Sequence, residues 1–394
     1  MKFSVVAPSD CGNELISAWR RLLDRASNPS IFLSPEWSLA WWRAYGSGRE
    51  PLMLIASDSA GEVEAVAPLY RRRLGAGLGP RVVGVMGDRE GGAEYLGILA
   101  LPGREAAAVS VLLDSLRRST ALLDFRGIRE GDILTALIAD EPHSPRPERT
   151  HRERHLCLHV PLPDDYERYL ASLKPKFRTT LRYRTNKLVK NYSVRLLRTK
   201  DAEELPESLD RLFHMHQARW IAEGHRGSFF DPRKQAFYRD MAAGFLRAGW
   251  LRFHHLEVDG VIRASQFGFA HGGVFHSLQE GFDTSFQAPG VGGIGVVLRG
   301  MVIRECIGEA LRSYDFLGGG QDYKVRWGAE PHFVERIRIA SSRLEGKVAF
   351  ALAVGIESGW RRIRMHLPGP VRGLRESWKS RGRRERTERA DIQP

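Results

Sequence analysis

A glycine-rich segment between a strand and a helix constrains this chain more than any other feature of its sequence. Residues 279–320 read as strand, glycine loop, helix and strand, and the loop has the form Q-x-x-G-x-G. Glycines let a backbone approach a ligand closely, and the first amides of a helix lack partners within the helix. The loop and a helix predicted at 291–312 therefore indicate an anion site suited to a pyrophosphate. The residues expected to form it are Gln287, Gly290, Val291, Gly292 and Gly293.

This segment has two other interpretations. A plain strand-to-helix turn would also be rich in glycine. A dinucleotide-binding fold is not indicated, because antiparallel hairpins rather than a βα unit precede the loop. The chain also lacks the GxxxxGK[ST] pattern of nucleotide-binding loops.

Cysteine and histidine usage argues against several other classes of protein. Cys11, Cys157 and Cys306 lie far apart without a CxxC pair, so neither a disulfide framework nor a structural zinc site is expected. His155, Cys157 and His159 alternate on one strand, where packing is a simpler explanation than metal binding. No G-x-S-x-G elbow accompanies the histidines, so a hydrolase is not indicated. We expect no metal and a reducing compartment.

Composition changes near the middle of the chain and suggests two domains. Asp140–Glu153 contains three prolines and hardly any apolar residue, which predicts a boundary loop. Domains are therefore expected at 1–150 and 151–345, with a basic extension at 346–394. Each half shows a helix–hairpin–helix–strand order, which suggests an internal duplication within an α+β fold. The strand at 313–319 is expected to complete the second half.

Positive charge is concentrated at the carboxyl end. The formal net charge is +13, and residues 360–394 hold eleven Lys/Arg against four Asp/Glu. Such a tail is usually solvated, but it can also bind an anionic membrane surface or a polysaccharide synthase. With no apolar leader or spanning segment in the sequence, we expect a cytoplasmic protein, with peripheral association at the inner face of the membrane as the alternative.

Three further segments resemble known transferases. Ser313–Gly328 (SYDFLGGGQDYKVRWG) is similar to the D-F-x-G…[YF]-K-x-x-[FW]-G end of Fem-like and CelD-like (cellulose biosynthesis) acetyltransferases. Gly281–Asp283 and the basic segment Lys176–Leu188 also resemble the CelD-like group. The glycine loop resembles the coenzyme A pyrophosphate loop of the GNAT superfamily. The resemblance is strongest over 161–335 and looser over 32–125.

This resemblance implies two tandem GNAT-like lobes, each a mixed, mostly antiparallel sheet flanked by helices. It implies acetyl-CoA, or another acyl-CoA, as the co-substrate of the second lobe. The first lobe has no Q-x-x-G-x-G loop and is expected to bind no cofactor.

Acyl transfer needs a base for the amine and an acid for the departing thiolate. Asp283, at the end of the strand before the loop, is the candidate that accepts the amine proton or orients the acceptor, although it would serve equally as a turn residue. Glu280 is the alternative, but strand alternation places it on the opposite face. By resemblance, Tyr323 protonates the thiolate and Lys324 stabilises developing negative charge, although Tyr323 would serve equally as a core aromatic. Asp315 also matches the family and is a candidate substrate-binding residue, with a structural contact to a backbone turn as the alternative.

Basic and aromatic side chains could contact the acceptor. Arg178, Arg182 and Arg184 lie in the basic helix predicted after Pro175, where they would line a site for an anionic acceptor. Arg219 and Trp220 follow another predicted helix. Charged residues of this kind are often only a solvated helix face.

Taken together, these features predict acyl-CoA-dependent N-acyltransfer to an amino sugar or a related envelope or exopolysaccharide precursor. One alternative is a Fem-like transferase that uses aminoacyl-tRNA; on the main interpretation, nucleic acid is not an expected partner. Another alternative is a non-catalytic scaffold of a membrane polysaccharide synthase.

Overall fold

The computed structural model describes residues 3–74, 79–139, 149–319 and 322–366. Most of the predicted boundary loop and the tail beyond residue 366 lie outside the described residues. Secondary structure within them is dense, with short connections between most elements.

Thirteen strands of the described residues form one sheet. They are β1 Phe3–Val6, β2 Glu50–Ser57, β3 Val63–Arg73, β4 Arg81–Val85, β5 Leu99–Ala100, β6 Leu122–Arg129, β7 Arg149–Pro161, β8 Val194–Arg198, β9 Leu251–Val258, β10 Val261–His271, β11 Val274–Phe282, β12 Ser313–Gly318 and β13 Glu330–Ala340. Helices flank this sheet: α1 Asn13–Arg25, α2 Pro35–Tyr45, α3 Glu105–Ser119, α4 Ile133–Ala139, α5 Tyr166–Ser172, α6 Pro175–Asn191, α7 Leu205–Ala222, α8 Pro232–Arg247, α9 Gly295–Gly308, α10 Asp322–Val325 and α11 Leu344–His366.

The spatial order of the strands is β1-β2-β3-β4-β6-β13-β7-β12-β11-β10-β9-β8, with β5 beside β3. Most neighbours are antiparallel, whereas β4 with β6 and β11 with β12 are parallel. The predicted α+β class with a mostly antiparallel, helix-flanked sheet is confirmed. Each half of the chain contributes one of the two parallel pairs.

Strand β13 joins the two halves. It pairs antiparallel with β6 on one side and with β7 on the other, so the halves share one continuous sheet. The expectation that the strand at 313–319 completes the second half was therefore wrong. The sequence does not indicate a central strand here, because charged residues such as Arg336 and Arg338 are typical of a surface. Both are buried here, and Arg336 donates 2.7 and 2.8 Å hydrogen bonds to the buried carboxylate of Asp124.

Local signals in the sequence position several elements correctly. The side chain of Ser34 accepts a hydrogen bond from the amide of Trp37 and caps α2, and Pro35 occupies the first helical position. Asp259 and Gly260 both have positive φ angles, and they form the tight turn between β9 and β10.

Two large apolar cores cover opposite faces of the second half. One lies beneath α5, α6 and α9 and includes Val297, Tyr314 and Trp327. The other lies beneath α7 and α8 and continues into the first half. There α2 packs on α8 so closely that a Cβ at Gly244 would stand 2.9 Å from Cγ of Glu36. The two halves therefore share a core as well as a sheet.

Candidate active site

The site begins where β11 and β12 separate. These parallel strands pair at only three positions, ending with His276 beside Asp315. Beyond that point β11 continues to Phe282, while β12 turns at Leu317, which has a positive φ of 57°. The separating strands leave an opening in the sheet, and the glycine loop and α9 follow directly after β11.

The glycine loop is anchored by every third side chain. Ala288, Val291 and Ile294 are buried in the core beneath α9, whereas Gly290, Gly292 and Gly293 are exposed. Gly290 and Gly292 have positive φ angles, which favour glycine. The helix begins at Gly295 and ends at Gly308, so the predicted range of 291–312 was four residues too long at each end. The first turn predicted as helix belongs to the loop.

The amides of the loop differ in whether they have a hydrogen-bond partner. The amide of Val291 donates a 3.0 Å hydrogen bond to the carbonyl of Ala288 and closes a turn. No hydrogen bond among the described residues uses the amides of Gly292 and Gly293. Gln287 is exposed, and its side chain is 3.3 Å from the carbonyl of Thr284. Of the predicted amides of Val291–Gly293, that of Val291 is therefore already used, and those of Gly292 and Gly293 have no such partner in the described part of the chain.

Two cations of α6 lie against this loop. A Cβ at Gly292 would stand 3.1 Å from the guanidinium carbon of Arg184, and one at Gly290 would collide with the ammonium of Lys187. Neither cation has an acidic partner among the described residues, although Lys187 also lies 3.0 Å from the hydroxyl of Tyr183. Free amides, exposed glycines and two unpaired cations suit the phosphate groups of an anionic ligand. Sequence reasoning missed Lys187, and the spacing of basic residues along α6 was the available signal.

Glu280 belongs to a buried network at the opening. Arg299 of α9 donates to its carboxylate at 3.2 and 2.5 Å, and Gln266 of β10 donates at 2.7 Å. Burial acts to lower the pKa of Arg299, but the charge of Glu280 outweighs it and raises this pKa above its ordinary value. Arg299 also lies 5.0 Å from the ring of Tyr323. Glu280 and Tyr323 are therefore neighbours through Arg299.

Asp283 lies beyond the end of β11 and has other partners. Its carboxylate accepts a 2.7 Å hydrogen bond from Arg263 and hydrogen bonds from the amide and hydroxyl of Ser285. Partial burial acts to raise the pKa of Asp283, but these hydrogen bonds lower it below the ordinary value. A β-bulge does occur in β11, at Leu278 opposite Phe267–Gly268. It precedes Glu280 and therefore does not bring the two carboxylates together.

Tyr323 and Lys324 follow β12 and point to different surroundings. Tyr323 is 41% exposed, and burial of the rest of its ring raises the pKa of its hydroxyl, so the phenol stays protonated. Lys324 is buried, and its ammonium donates to the carbonyls of Phe316 at 3.1 Å and Gly318 at 2.8 Å. Burial lowers the pKa of Lys324. The lysine thus holds the end of β12 where the opening begins.

Asp315 joins the two halves of the chain at the base of the opening. It accepts a 2.6 Å hydrogen bond from the hydroxyl of Tyr95, and its other oxygen accepts a 2.7 Å hydrogen bond from the amide of Leu317. The hydroxyl of Tyr95 also lies 2.6 Å from Nε2 of His332. Asp315 therefore shapes the bend in β12, in contact with a loop that sequence reasoning did not assign to this site.

Glu94 precedes Tyr95 in that loop and reaches the same place. A Cβ at Gly318 would stand 2.5 Å from its carboxylate oxygen Oε1. Burial and the negative charge of Asp315 raise the pKa of Glu94 to about 7, against the opposing charge of Lys324. The first half of the chain thus contributes an ionisable group beside the opening.

The residues predicted to contact the acceptor lie in different places. Arg178 donates to the carbonyl of Ala171, and Arg182 pairs with Glu167, so both are engaged with α5. Arg219 lies 5.7 Å from the ring of Phe282 at the end of β11.

Trp220 is next to Arg219 on α7 and donates a 2.9 Å hydrogen bond to Nε2 of His216. Arg219 also acts on the pKa of Tyr323, lowering it against the effect of burial. Among Arg178, Arg182, Arg219 and Trp220, Arg219 is the one that these contacts bring to the opening.

Among the described residues, no three His, Cys, Asp or Glu side chains form a group suited to a metal ion. A cavity of about 810 Å³ lies between α6, α9 and β8, but none of the predicted site residues lines it. Among these same residues, no helix combines the length and apolar character needed to cross a bilayer.

Comparison with known proteins relates this arrangement to one family of domains. Residues 175–325 match the family model described as "Acetyltransferase (GNAT) domain". This range contains α6, the glycine loop, α9 and most of the residues that surround the opening. A comparison with curated protein sequences found no match.

Solved structures resemble the chain over both halves. FemX superposes with a TM-score of 0.58 at 12% identity, covering 86% of this chain and 97% of that one. A protein of unknown function from Bacteroides thetaiotaomicron gives 0.55 at 16% identity, covering 86% and 100%. L-PGS from Bacillus licheniformis gives 0.52 at 12% identity, covering 87% and 96%. At these identities the likeness establishes the fold alone, over 86–87% of this chain.

Proposed function

We propose that this protein transfers an acyl group, most simply acetyl, from an acyl-CoA to the amine of an amino sugar or a related envelope or exopolysaccharide precursor. The observation that carries the proposal is the glycine loop backed by Arg184 and Lys187 beside the opening between β11 and β12. The match of residues 175–325 to the GNAT acetyltransferase domain supports the same class of reaction. The acceptor class rests on the resemblance to the CelD-like group.

The residues around the opening suit distinct roles in this reaction. The amides of Gly292 and Gly293 with the two cations of α6 would bind the pyrophosphate. Tyr323, a protonated phenol at the surface of the opening, would donate a proton to the departing thiolate. Because Glu280 rather than Asp283 adjoins Tyr323, we assign the contact with the acceptor amine to Glu280. Lys324 would act by fixing the end of β12.

Gly293 allows a sharp test of the binding step. A Cβ there would have no heavy atom within 4 Å, and its backbone is not left-handed, so a side chain adds neither a clash nor strain. Calorimetric titration with acetyl-CoA would compare the wild type with Gly293→Glu and its neutral match Gly293→Gln. We expect saturable wild-type binding, a loss of about tenfold or more for the glutamate variant, and a change within about twofold for the glutamine variant.

Two results would contradict the proposal. The first is no wild-type binding at millimolar acetyl-CoA, and the second is equal binding by the wild type and Gly293→Glu. If binding is found, release of free coenzyme A in the presence of individual amino sugars would identify the acceptor.

The second candidate is aminoacyl transfer from an aminoacyl-tRNA, which the resemblance to Fem-like transferases implies. The superposition with FemX over 97% of that chain supports it. This candidate predicts tight binding of tRNA that weakens steeply with salt, together with little affinity for acetyl-CoA. Filter binding of tRNA at two salt concentrations, beside the calorimetry, separates the two functions.

A further inference from the structure

An apolar stripe is exposed along the first half of α11. Leu344, Val348 and Leu352 are 77%, 43% and 40% exposed, and they are spaced four residues apart. Residues four apart lie on the same side of a helix, so the three form one continuous surface. Nothing in the described part of the chain covers this stripe, which we call the α11 stripe.

The α11 stripe is not the face by which the helix packs on the protein. Ala349 is buried, and Phe350 and Ala353 pack with it against a small core around Leu122 and Ala340, where β6 meets β13. The helix thus uses a different set of positions to attach to the sheet and leaves a second apolar face outward. A helix that is apolar on an unattached face indicates an interaction surface.

Cations surround the start of this helix. The exposed residues Arg73 and Arg81 end β3 and begin β4, and the amide of Arg81 contacts the carboxylate of Glu345 in the first turn of α11. Lys347 is exposed between two residues of the stripe. None of these three cations has an acidic side-chain partner in the part of the chain that the structure describes.

The sequence after the stripe strengthens the positive charge. Residues 360–394 hold eleven Lys/Arg against four Asp/Glu, a surplus of seven positive charges. Apolar side chains on one helix face beside clustered cations match the two components of an anionic lipid surface, an acyl boundary and negative headgroups.

We infer that α11 lies in the plane of an anionic lipid bilayer, with Leu344, Val348 and Leu352 inserted at the acyl boundary and the neighbouring cations on the headgroups. The helix lies on the membrane rather than crossing it, because its second half carries Arg361, Arg362 and Arg364 in the sequence. The enzyme would then work at a membrane surface on whichever acceptor it uses, and this inference is independent of the proposed reaction.

Vesicle flotation of the full-length protein tests the inference. The probes are phosphatidylcholine vesicles with and without about 30% phosphatidylglycerol, at low salt and at about 0.5 M NaCl. The variant Leu344→Ser/Val348→Ser/Leu352→Ser removes the stripe. A matched control, Val5→Ser/Ile221→Ser/Val261→Ser, removes three other exposed apolar side chains. A second variant, Arg381→Gln/Arg383→Gln/Arg384→Gln/Arg386→Gln, reduces the charge of the tail.

We expect the wild type to bind the vesicles that contain phosphatidylglycerol and not those without it, and we expect salt to weaken this binding. The stripe variant should lose at least about tenfold in affinity for these vesicles. The control variant should bind like the wild type, and the charge variant should lose part of the binding. Absence of wild-type binding would overturn the inference. So would equal binding by the stripe variant, since the tail would then suffice. A wild-type dimer that the stripe variant converts to a monomer, without vesicle binding, would assign the stripe to contact between copies of this chain.

Discussion

The phenol of Tyr95 in the first half of the chain donates a 2.6 Å hydrogen bond to the carboxylate of Asp315 in the second half. The two residues are 220 positions apart in sequence, and Asp315 is buried. The same carboxylate fixes the bend of β12 through the amide of Leu317. The geometry of the opening in the second half therefore depends on a side chain supplied by the first.

Removal of this hydrogen bond should destabilise the protein. Tyr95→Phe leaves an oxygen of Asp315 without the phenol, and loss of a buried partner of a charged group costs about 1–3 kcal/mol. Urea unfolding followed by tryptophan fluorescence would measure the cost. Tyr323→Phe serves as the control, because its ring is partly exposed and its hydroxyl has no hydrogen-bond partner among the described residues. Equal midpoints for Tyr95→Phe and the wild type would refute the prediction.

Glu94 should make stability depend on pH in a particular direction. Its folded-state pKa is raised to about 7, so the folded state binds a proton more tightly than the unfolded chain. The stability gained from this proton is complete below about pH 4 and is lost as pH rises through about 7. Relative to the wild type, Glu94→Gln should therefore become more stable between pH 5 and pH 8, by up to about 3 kcal/mol.

Urea midpoints at the two pH values would check this. Glu94→Ala provides the control, because it also removes the ionisable group. The two variants will differ from each other in unfolding free energy at any one pH. The change in their stability relative to the wild type between pH 5 and pH 8 should be the same. A wild-type minus variant difference that does not change between pH 5 and pH 8 would be incompatible with the burial of Glu94 described above.

The ion pair between Glu280 and Arg299 should show strong coupling. Removal of one partner leaves the other buried and unpaired, which costs about 3–5 kcal/mol, as in Arg299→Met or Glu280→Gln. The double variant should cost less than the sum of the single variants by about 2 kcal/mol, because neither charge is then stranded. Unfolding free energies of the four proteins give the coupling directly. Simple additivity would mean that the two side chains do not act as a pair.

Two glycines of the loop should differ in their tolerance of alanine. Gly290 has a positive φ of 73°, and a Cβ there would displace the ammonium of Lys187, so Gly290→Ala should weaken acetyl-CoA binding about tenfold. Gly293→Ala meets nothing within 4 Å and should bind within about twofold of the wild type. Calorimetry on both variants makes the comparison. Similar affinities for the two would place the phosphates elsewhere.

Local sequence signals were enough for elements that depend on their own residues. The Ser34–Pro35 pair is typical of a helix start and the Asp-Gly pair at 259–260 of a hairpin turn, because caps and turns are satisfied within a few residues. The strand–loop–helix context of Gly290–Gly293 was also predicted, since it needs only the order of the elements. The loop itself reaches four residues further than predicted, because buried Val291 and Ile294 look like the first turn of a helix.

Features that depend on distant partners could not be predicted in this way. Arg336 and Arg338 are compatible with a buried strand because Asp124 and Glu153 lie on the two neighbouring strands and pair with them. Lys187 reaches the glycine loop, and Tyr95 reaches Asp315, across more than 100 residues of sequence. A single sequence contains no record of such contacts, so the contribution of the first half to the site emerges only from the fold.

The position of β13 has a consequence for how the protein is made. Its residues, 330–340, are among the last of the described chain to leave the ribosome, yet they fill the centre of the sheet between β6 and β7. Until then the nascent chain carries two strand edges whose backbone groups are unpaired, and such edges are templates for aggregation. A truncation before residue 330 would leave both edges open for good, so premature termination should yield insoluble protein rather than a working first half.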